Sequence, residues 1–264
     1  MRQYSIDARN IKNPIYPCPI KMGGKNANGQ MLSIGNYYLS LNGKPFFGIC
    51  GEAHFSRMDR ELWEDEIIKM KAGGLNIIAT YIFWIHHEEI EGTFDFSGNK
   101  DLRFFLELCK KNNMYVILRI GPFSHGECRN GGFPDWMYGQ PFDIRCDDPS
   151  YLFYTRRFYE QIYQQAKGLL FKDNGPVIGV QLENEHEHAS CPWEMTTENS
   201  KEWVVSGHDG KNHMNTLKQM ALEIGFDVPL YTATAWGGAC APEDTVFLFG
   251  ADMPFVLGCF TMEN

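Results

Sequence analysis

Two carboxylates flank an amide in Glu183-Asn184-Glu185, and these are the residues of the 264-residue chain whose types and spacing best suit catalysis. They follow a mostly apolar run, residues 175–182, which predicts a buried parallel strand. Hydrolysis of a glycosidic bond uses two carboxyl groups, one that donates a proton to the leaving oxygen and a second that acts as the nucleophile in retaining enzymes. Glu185 is therefore the candidate general acid.

The strand geometry limits how these residues can act together. In a regular strand Glu183 and Glu185 point to one face and Asn184 points to the other, because side chains alternate. Asn184 and Glu185 can both reach a ligand only if a bulge or the start of a loop breaks this alternation. On spacing alone, solvated loop carboxylates are an equally good interpretation.

A repeated order of strands and helices must position these residues. The apolar patterns predict strands at 46–51, 75–83, 115–120, 175–185, 229–234 and 245–249, and amphipathic helices at 60–72, 101–111, 149–170 and 211–224. This order predicts right-handed βαβ units and a parallel sheet. Ahead of it we expect an irregular amino-terminal arm, residues 1–30, and a β-hairpin that turns at Asn42-Gly43.

Polar residues follow successive predicted strands, and this favours a barrel over an open sheet. They are Glu52 and His54, Tyr81, Arg119 and Glu127, and Asn184 and Glu185. A ring of polar groups at the carboxyl ends of the strands is typical of (β/α)8 barrels. No GxGxxG sequence follows the first strand, which argues against a dinucleotide-binding sheet. We therefore predict an α/β fold, a TIM (β/α)8-type barrel that spans residues 31–264 and is incomplete, with about six strands.

Aromatic and histidine residues near the strand ends suggest two kinds of site. Trp84, Phe133, Trp136 and Trp236 could pack against the apolar faces of sugar rings. His86-His87 and the run 185–188, Glu-His-Glu-His, offer metal ligands, but no HExxH sequence is present. We expect no metal and no organic cofactor, because hydrolysis of a glycosidic bond needs water and two carboxyl groups.

Composition limits the class of partner. The 33 acidic residues exceed the 24 Lys and Arg residues, and no basic stretch is long enough to follow a phosphate backbone, so nucleic acid is not an expected partner. No apolar run approaches the ~20 residues that span a bilayer, and residues 1–7 lack a signal-peptide core. The eight cysteines form no CxxC pair, so we expect free thiols and a cytoplasmic protein with no membrane partner.

Five segments, in this order and spacing, resemble glycoside hydrolase family 35, the β-galactosidases. They are Glu52-Ala53-His54-Phe55-Ser56-Arg57, Thr80-Tyr81-Ile82-Phe83-Trp84-Ile85-His86-His87-Glu88, Leu118-Arg119-Ile120-Gly121-Pro122-Phe123, Gly131-Gly132-Phe133-Pro134-Asp135-Trp136 and Gln181-Leu182-Glu183-Asn184-Glu185. The resemblance covers roughly residues 31 to 250. Five ordered motifs are far more specific than one pair of carboxylates.

The resemblance implies a TIM-barrel hydrolase that removes terminal β-linked galactose from an oligosaccharide or galactoside, with retention of configuration. It implies that Glu185 is the acid/base and that Asn184 holds the sugar 2-hydroxyl. Tyr81 and Glu127 match family positions that contact galactose hydroxyls. The residues after the last motif, His186-Glu187, replace the Tyr-Gly usual in the family, so the preferred glycan stays open.

The family's nucleophile is a Glu that follows the seventh strand, and 15 residues remain after the sixth predicted strand. We therefore expect a truncated catalytic domain whose nucleophile lies outside this chain or, as the weaker option, is Glu263. Two other functions stay open. One is a carbohydrate-binding relic that keeps Tyr81, Glu127 and Asn184 without turnover, and the other is a barrel hydrolase that uses the histidines to bind a metal.

Overall fold

The structure, a computed structural model, describes residues 16, 24–35, 38–186, 207–234 and 246–249. These residues form two sheets, one small and antiparallel, the other parallel and flanked by helices. Most of the predicted arm lies outside the described residues, so the division into an arm of residues 1–30 and a barrel of residues 31–264 stays a prediction. In the described ranges no helix has both the length and the apolar character needed to cross a membrane.

The small sheet contains the predicted hairpin and one further strand. Its strands are β1 (Leu32–Ile34), β2 (Leu39–Leu41) and β3 (Lys44–Phe46), in the order β1-β2-β3. Asn42 and Gly43 connect β2 to β3 with φ of 55° and 74°, the left-handed conformation that a tight two-residue hairpin turn requires. β1 was not predicted as a separate strand, because the predicted hairpin rests on the Asn42-Gly43 turn between β2 and β3 and no such turn signal separates β1 from β2.

The large sheet has six parallel strands that pair in chain order, which confirms the barrel-type α/β fold. Its strands are β4 (Cys50–Glu52), β5 (Ile77–Tyr81), β6 (Tyr115–Gly121), β7 (Val177–Leu182), β8 (Leu230–Thr234) and β9 (Val246–Phe249). A complete barrel has eight strands, so the part of the chain that the structure describes holds six of them. Within this part, β4 and β9 are the edges of an open sheet.

Helices join consecutive strands on the outside of the sheet. They are α1 (Trp63–Ala72), the single turn α2 (Trp84–His87), α3 (Leu102–Lys111), α4 (Pro149–Ala166) and α5 (Gly210–Ile224). The Asp148 carboxylate caps α4 by accepting hydrogen bonds from two backbone N–H groups of the first turn. The predicted α4 extended to residue 170, but the helix ends at Ala166 because Gly168, with φ of 80°, turns the chain back towards the sheet.

The packing of the core makes the two ends of the parallel sheet different from each other. Every residue of β5 and β7 is buried, as expected for strands covered on both faces. Near the amino ends of β5, β6 and β7, Ile77, Ile117 and Ile178 belong to one buried cluster with Leu32 of the small sheet. The small sheet therefore covers the amino-terminal end of the barrel, and the carboxyl-terminal end is left to the loops that carry the polar residues.

Candidate functional site

The turn that carries the candidate acid begins where β7 ends, at Leu182. Glu183 and Glu185 both have left-handed backbones, with φ of 56° and 51°. Hydrogen bonds to the flanking strands hold this conformation: Glu183 N–H donates to the Gly121 carbonyl at 2.7 Å, and Glu185 N–H donates to the Ala233 carbonyl at 3.0 Å. Such backbones are costly for residues other than glycine and persist when the surroundings fix them. The break in alternation that the sequence required is therefore present.

The Asn184 side chain is the centre of the polar cluster. Its amide oxygen accepts hydrogen bonds from Tyr81 Oη at 2.9 Å, Arg119 Nη2 at 3.0 Å and Gln181 Nε2 at 3.3 Å. Three donors around one atom identify it as the oxygen, because the amide nitrogen cannot accept. The side chain is therefore held with its NH₂ group directed away from these donors. β5, β6 and β7 each contribute one donor.

Arg119 and Tyr81 form a stacked pair beneath this amide. The guanidinium carbon lies 3.6 Å from the centre of the Tyr81 ring, and the guanidinium also forms an ion pair with Glu52. Burial lowers the pKa of Arg119 to about 10, so the group is still charged at neutral pH. Burial, with the neighbouring Tyr231 and Glu185, raises the pKa of Tyr81 well above its usual value. Tyr81 therefore remains a hydrogen-bond donor throughout the physiological range.

Glu127 and Glu185 approach this pair from two different loops. The charges of both carboxylates act on the Tyr81 hydroxyl and on the Arg119 guanidinium. Glu127 is exposed and has a left-handed backbone with φ of 48°, and the preceding Gly126 packs closely against the Tyr81 and Phe83 rings. The structure thus brings the predicted residues Tyr81, Glu127, Asn184 and Glu185 to one edge of the sheet. Their roles stay predictions.

A buried ion pair that the sequence analysis missed lies under the turn. Arg145 and Glu183 are 2% and 0% exposed, and Arg145 Nη2 lies 2.9 Å from Glu183 Oε2. Arg145 Nη2 also donates to the Asn184 carbonyl at 2.8 Å, and its guanidinium stacks on the Phe123 ring. Arg145 therefore holds both the side chain and the backbone of the turn. The single basic residue in the acidic segment 143–148 was the available signal.

Two histidines extend this network away from the ion pair. His186 Nε2 donates to the Arg145 carbonyl at 2.9 Å, and the His186 ring lies 5.0 Å from that of His213. His213 Nδ1 in turn donates to Asp147 Oδ1 at 2.9 Å. Burial lowers the pKa of His213, which favours its neutral form. The loop before α4 and the first turn of α5 therefore both support the residue that follows Glu185.

His86 and His87, the adjacent histidines proposed as metal ligands from the sequence, contact different groups in the structure and do not form one site. His86 Nδ1 is 2.8 Å from Ser56 Oγ, whereas His87 Nδ1 is 3.0 Å from the Asp95 carbonyl and the His87 ring stacks on Phe96. Within the described ranges, neither belongs to a group of three ligand-type side chains. The run 185–188 can be assessed only as far as His186, because residues 187 and 188 lie outside those ranges.

The predicted aromatic pocket is corrected at two positions. Trp84 and Phe133 are fully buried, and Trp84 stacks on Phe158 of α4 with 4.6 Å between ring centres. Neither ring can face a sugar, because α4 covers this side of the α2 turn. Trp136 is partly buried and donates to the Glu88 carbonyl at 2.8 Å. Trp236 and Glu263 lie outside the described residues.

Comparison with known proteins gives a consistent result. The family model described as glycosyl hydrolases family 35 matches residues 38–248. The chain is 36% identical over 169 residues to a beta-galactosidase of Xanthomonas manihotis, covering 64% of this chain and 28% of that protein. It is 38% identical over 167 residues to a beta-galactosidase of Homo sapiens, covering 62% of this chain and 25% of that protein. The chain thus spans about a quarter of the length of these curated relatives.

Solved structures support the fold. An endo-1,4-beta-mannanase from Rhizomucor miehei superposes with a TM-score of 0.56 at 13% identity, covering 76% of this chain and 60% of that one. An exo-beta-1,4-mannosidase from Opitutaceae bacterium strain TAV5 superposes with a TM-score of 0.50 at 14% identity, covering 79% and 33%. At these identities the likeness concerns the barrel-type fold alone.

Proposed function

Because this chain belongs to glycosyl hydrolases family 35, we propose that it carries the acid/base half of a glycosidase site that releases terminal β-linked galactose. The substrate is an oligosaccharide or a simple galactoside. Glu185 is the acid/base, Asn184 binds the sugar 2-hydroxyl, and Tyr81 and Glu127 bind other galactose hydroxyls. The beta-galactosidase relatives support this choice of sugar.

The hydrogen bonding of Asn184 is the observation that carries the proposal. Its oxygen is occupied by the three donors, so its NH₂ group is the part of the amide that can donate to a sugar oxygen. The next residue in the turn is Glu185, which lies close enough to Tyr81 and Arg119 to act on both electrostatically. A bound sugar ring held by Asn184 therefore has the candidate acid beside it.

The proposed reaction is a double displacement. Glu185 gives its proton to the glycosidic oxygen while a second carboxylate attacks the anomeric carbon, so the bond to the leaving group breaks and a glycosyl-enzyme forms. Glu185 then takes a proton from water, which displaces the carboxylate and releases the sugar with its original configuration. The second carboxylate is Glu263 or belongs to a segment outside this chain.

Turnover of a chromogenic aryl β-galactoside by the 264-residue chain tests the proposal, with Glu185→Gln, Glu263→Gln and Glu223→Gln compared to the unmodified chain. Glu223 lies on α5 in an exposed ion pair with Arg156 and serves as the matched control. The proposal expects loss of turnover in the Glu185 variant by about a hundredfold or more, since general acid/base catalysis contributes roughly 10²–10⁴-fold. Turnover that is unchanged in this variant contradicts the role of Glu185.

The second carboxylate is identified by the same series. Loss of turnover in Glu263→Gln places the nucleophile within this chain. If the unmodified chain has no turnover but binds galactose, the recognition half functions without its nucleophile, which supports a binding role for this piece of the protein. If it neither turns over substrate nor binds galactose, the proposal is wrong.

We also propose a cytoplasmic location, which the thiols support. Within the described ranges, which hold four of the eight cysteines, Cys50, Cys109, Cys128 and Cys146 are free thiols. Free thiols suit a reducing compartment. Fractionation of the source cells tests this location, and recovery of the protein from the extracellular fraction would contradict it.

A further inference from the structure

Three side chains with different ligand atoms converge beside the network that supports the turn. Cys146 lies in the loop before α4, and His208 and Asp209 immediately precede α5. One ligand atom from each, a sulfur, an imidazole nitrogen and a carboxylate oxygen, lies within 4.8 Å of the other two. No function described above uses these three residues.

The two segments that carry these residues are already joined by hydrogen bonds. His208 N–H donates to the Arg145 carbonyl at 3.2 Å, and Asp147 N–H donates to Asp209 Oδ2 at 2.8 Å. The three ligand-type side chains are therefore held near one another by the backbone, although their segments are 62 residues apart in sequence. A site that is largely formed before the ion binds loses less entropy on binding.

We propose that Cys146, His208 and Asp209 form a site for a zinc-type divalent cation. Thiolate, imidazole and carboxylate are the ligands that zinc uses in proteins, whereas magnesium and calcium favour oxygen ligands alone. Zinc bonds of about 2.0–2.3 Å place tetrahedral ligand atoms roughly 3.3–3.8 Å apart. Side-chain rotations can bring the three atoms from their present spacing to that range.

The fourth position of such a site belongs to water. Asp209 Oδ2 lies 3.2 Å from His208 Nδ1, whereas Asp143 Oδ2 lies 3.9 Å from His208 Nε2, so Asp143 faces the other ring nitrogen and is not counted as a ligand. Water fills the open position at zinc sites with three protein ligands. The site therefore has three protein ligands and one open position.

Charge and access both favour a cation here. The carboxylates of Asp143, Asp209 and Asp148 lie near enough to the Cys146 sulfur to act on it electrostatically, and this negative charge attracts a cation. His208 is more than half exposed, so an ion can enter from solvent.

The charge of the neighbouring residue Arg145 does not oppose binding. Arg145 precedes Cys146 in sequence, and its charge is balanced by the Glu183 carboxylate in the buried ion pair. A bound cation would therefore join the two segments and stabilise the loop that places Arg145 under the turn. This site is proposed independently of the glycosidase function.

Cobalt and zinc titrations of the full 264-residue chain test the proposal. Co²⁺ bound to thiolate gives a near-ultraviolet charge-transfer band, so the band reports directly on cysteine ligation. We compare the unmodified chain with Cys146→Ser and His208→Gln, and with Cys128→Ser as a control thiol outside the cluster. Circular dichroism checks that each variant is folded, and His208→Gln is safe in this respect because His208 is exposed.

The proposal expects one equivalent of Zn²⁺, a charge-transfer band with Co²⁺ and a melting temperature that rises with zinc, since a ligand of the folded state stabilises it. Both cluster variants should weaken binding by at least about tenfold, because even loss of a residue that only supports a metal ligand costs about 10–100-fold in affinity, and Cys128→Ser should not weaken it. No zinc binding by the unmodified chain overturns the proposal. A band that persists in Cys146→Ser, or binding unchanged in His208→Gln, overturns it as well.

Discussion

Neutralising Glu183 should destabilise the fold far more than neutralising an exposed carboxylate. Glu183→Gln keeps the size of the side chain but removes the charge that balances Arg145. Both residues are almost completely inaccessible to solvent, so the guanidinium would be left buried without a counter-charge. Gln also places an NH₂ group where the carboxylate now accepts hydrogen bonds from Arg145 and from Asn184 N–H.

The expected cost follows from the geometry of this pair. Removing one partner of a buried ion pair costs about 3–5 kcal/mol. Gln retains one acceptor oxygen, so we place the loss near the lower end of this range, at about 3 kcal/mol of unfolding free energy. That is a change of roughly 150-fold in the folding equilibrium constant.

The assay is urea denaturation of the 264-residue chain, followed by circular dichroism, with Glu223→Gln as the matched control. Glu223 pairs with Arg156 at 2.6 Å, but both side chains are about half exposed. Exposed pairs contribute about 0–1 kcal/mol, so this variant should shift the urea midpoint only slightly at constant slope.

An equal loss of unfolding free energy in Glu183→Gln and Glu223→Gln would contradict a special cost for the unpaired buried charge. A second test uses Arg145→Met combined with Glu183→Leu, because replacing both charges by apolar groups avoids the unpaired charge. The double variant should be more stable than Glu183→Gln. If it is less stable, the ion pair contributes by attraction and the unpaired charge is not the main penalty.

Three further predictions concern single side chains. Burial holds the pKa of His87 at about 4 against an ordinary 6.5, so the unfolded chain binds this proton more readily than the folded chain. The unfolding free energy that depends on neutral His87, roughly 3 kcal/mol, is therefore present above pH 6.5 and lost as the pH falls towards 4. His87→Asn should flatten the dependence of the unfolding free energy, measured with urea, on pH between these two values. Tyr81→Phe removes one donor to the amide of the turn, so unfolding free energy should fall by about 1 kcal/mol and galactose affinity, measured by calorimetry, should fall with it. In Gly131→Ala the new Cβ would lie 1.9 Å from a ring carbon of Phe123, so the unfolding free energy measured with urea should fall by about 1–3 kcal/mol. Gly139→Ala is the control, because a Cβ at Gly139 meets no atom within 4 Å, and its unfolding free energy should be nearly unchanged.

The regular elements could be predicted because their signals are local. Helices α1, α3 and α5 and strands β5 to β9 follow from the spacing of apolar residues, and the Asn42-Gly43 turn follows from the backbone that a hairpin needs. The first strand of the parallel sheet was predicted wrongly as a buried strand at 46–51, because β4 is Cys50–Glu52 and Phe47 is exposed. The end of α4 was predicted four residues too late, because apolar residues continue past Ala166 although Gly168 turns the chain. Apolar spacing alone does not register such a change of direction.

The site could be predicted only in part, because its geometry depends on distant contacts. The residue types at the strand ends indicated Glu185, Asn184 and Tyr81. The left-handed turn, however, depends on hydrogen bonds to β6 and β8, which no local pattern contains. Arg145 was missed for the same reason: its partner is 38 residues away, and charged loop residues are usually solvated.

Trp84 was predicted to line the site but is buried in the core, which is the opposite of the error made at Arg145. Its position after a strand and beside other aromatics suggested a sugar platform. The ring is instead covered by Phe158, whose helix is predicted well but whose placement over the α2 turn is a tertiary contact. Aromatic residues near a strand end are therefore weak evidence for a ligand until their exposure is known.

Calorimetric titration of the 264-residue chain with galactose measures whether this edge of the sheet binds the sugar, with glucose as the comparison sugar and Asn184→Ala as the comparison variant. We expect one galactose site, weaker binding of glucose, and a loss of affinity of about tenfold or more in Asn184→Ala, because a hydrogen bond to a sugar hydroxyl would be removed. Absence of galactose binding, or equal binding by the variant, would contradict the assignment of this edge of the sheet as the sugar site.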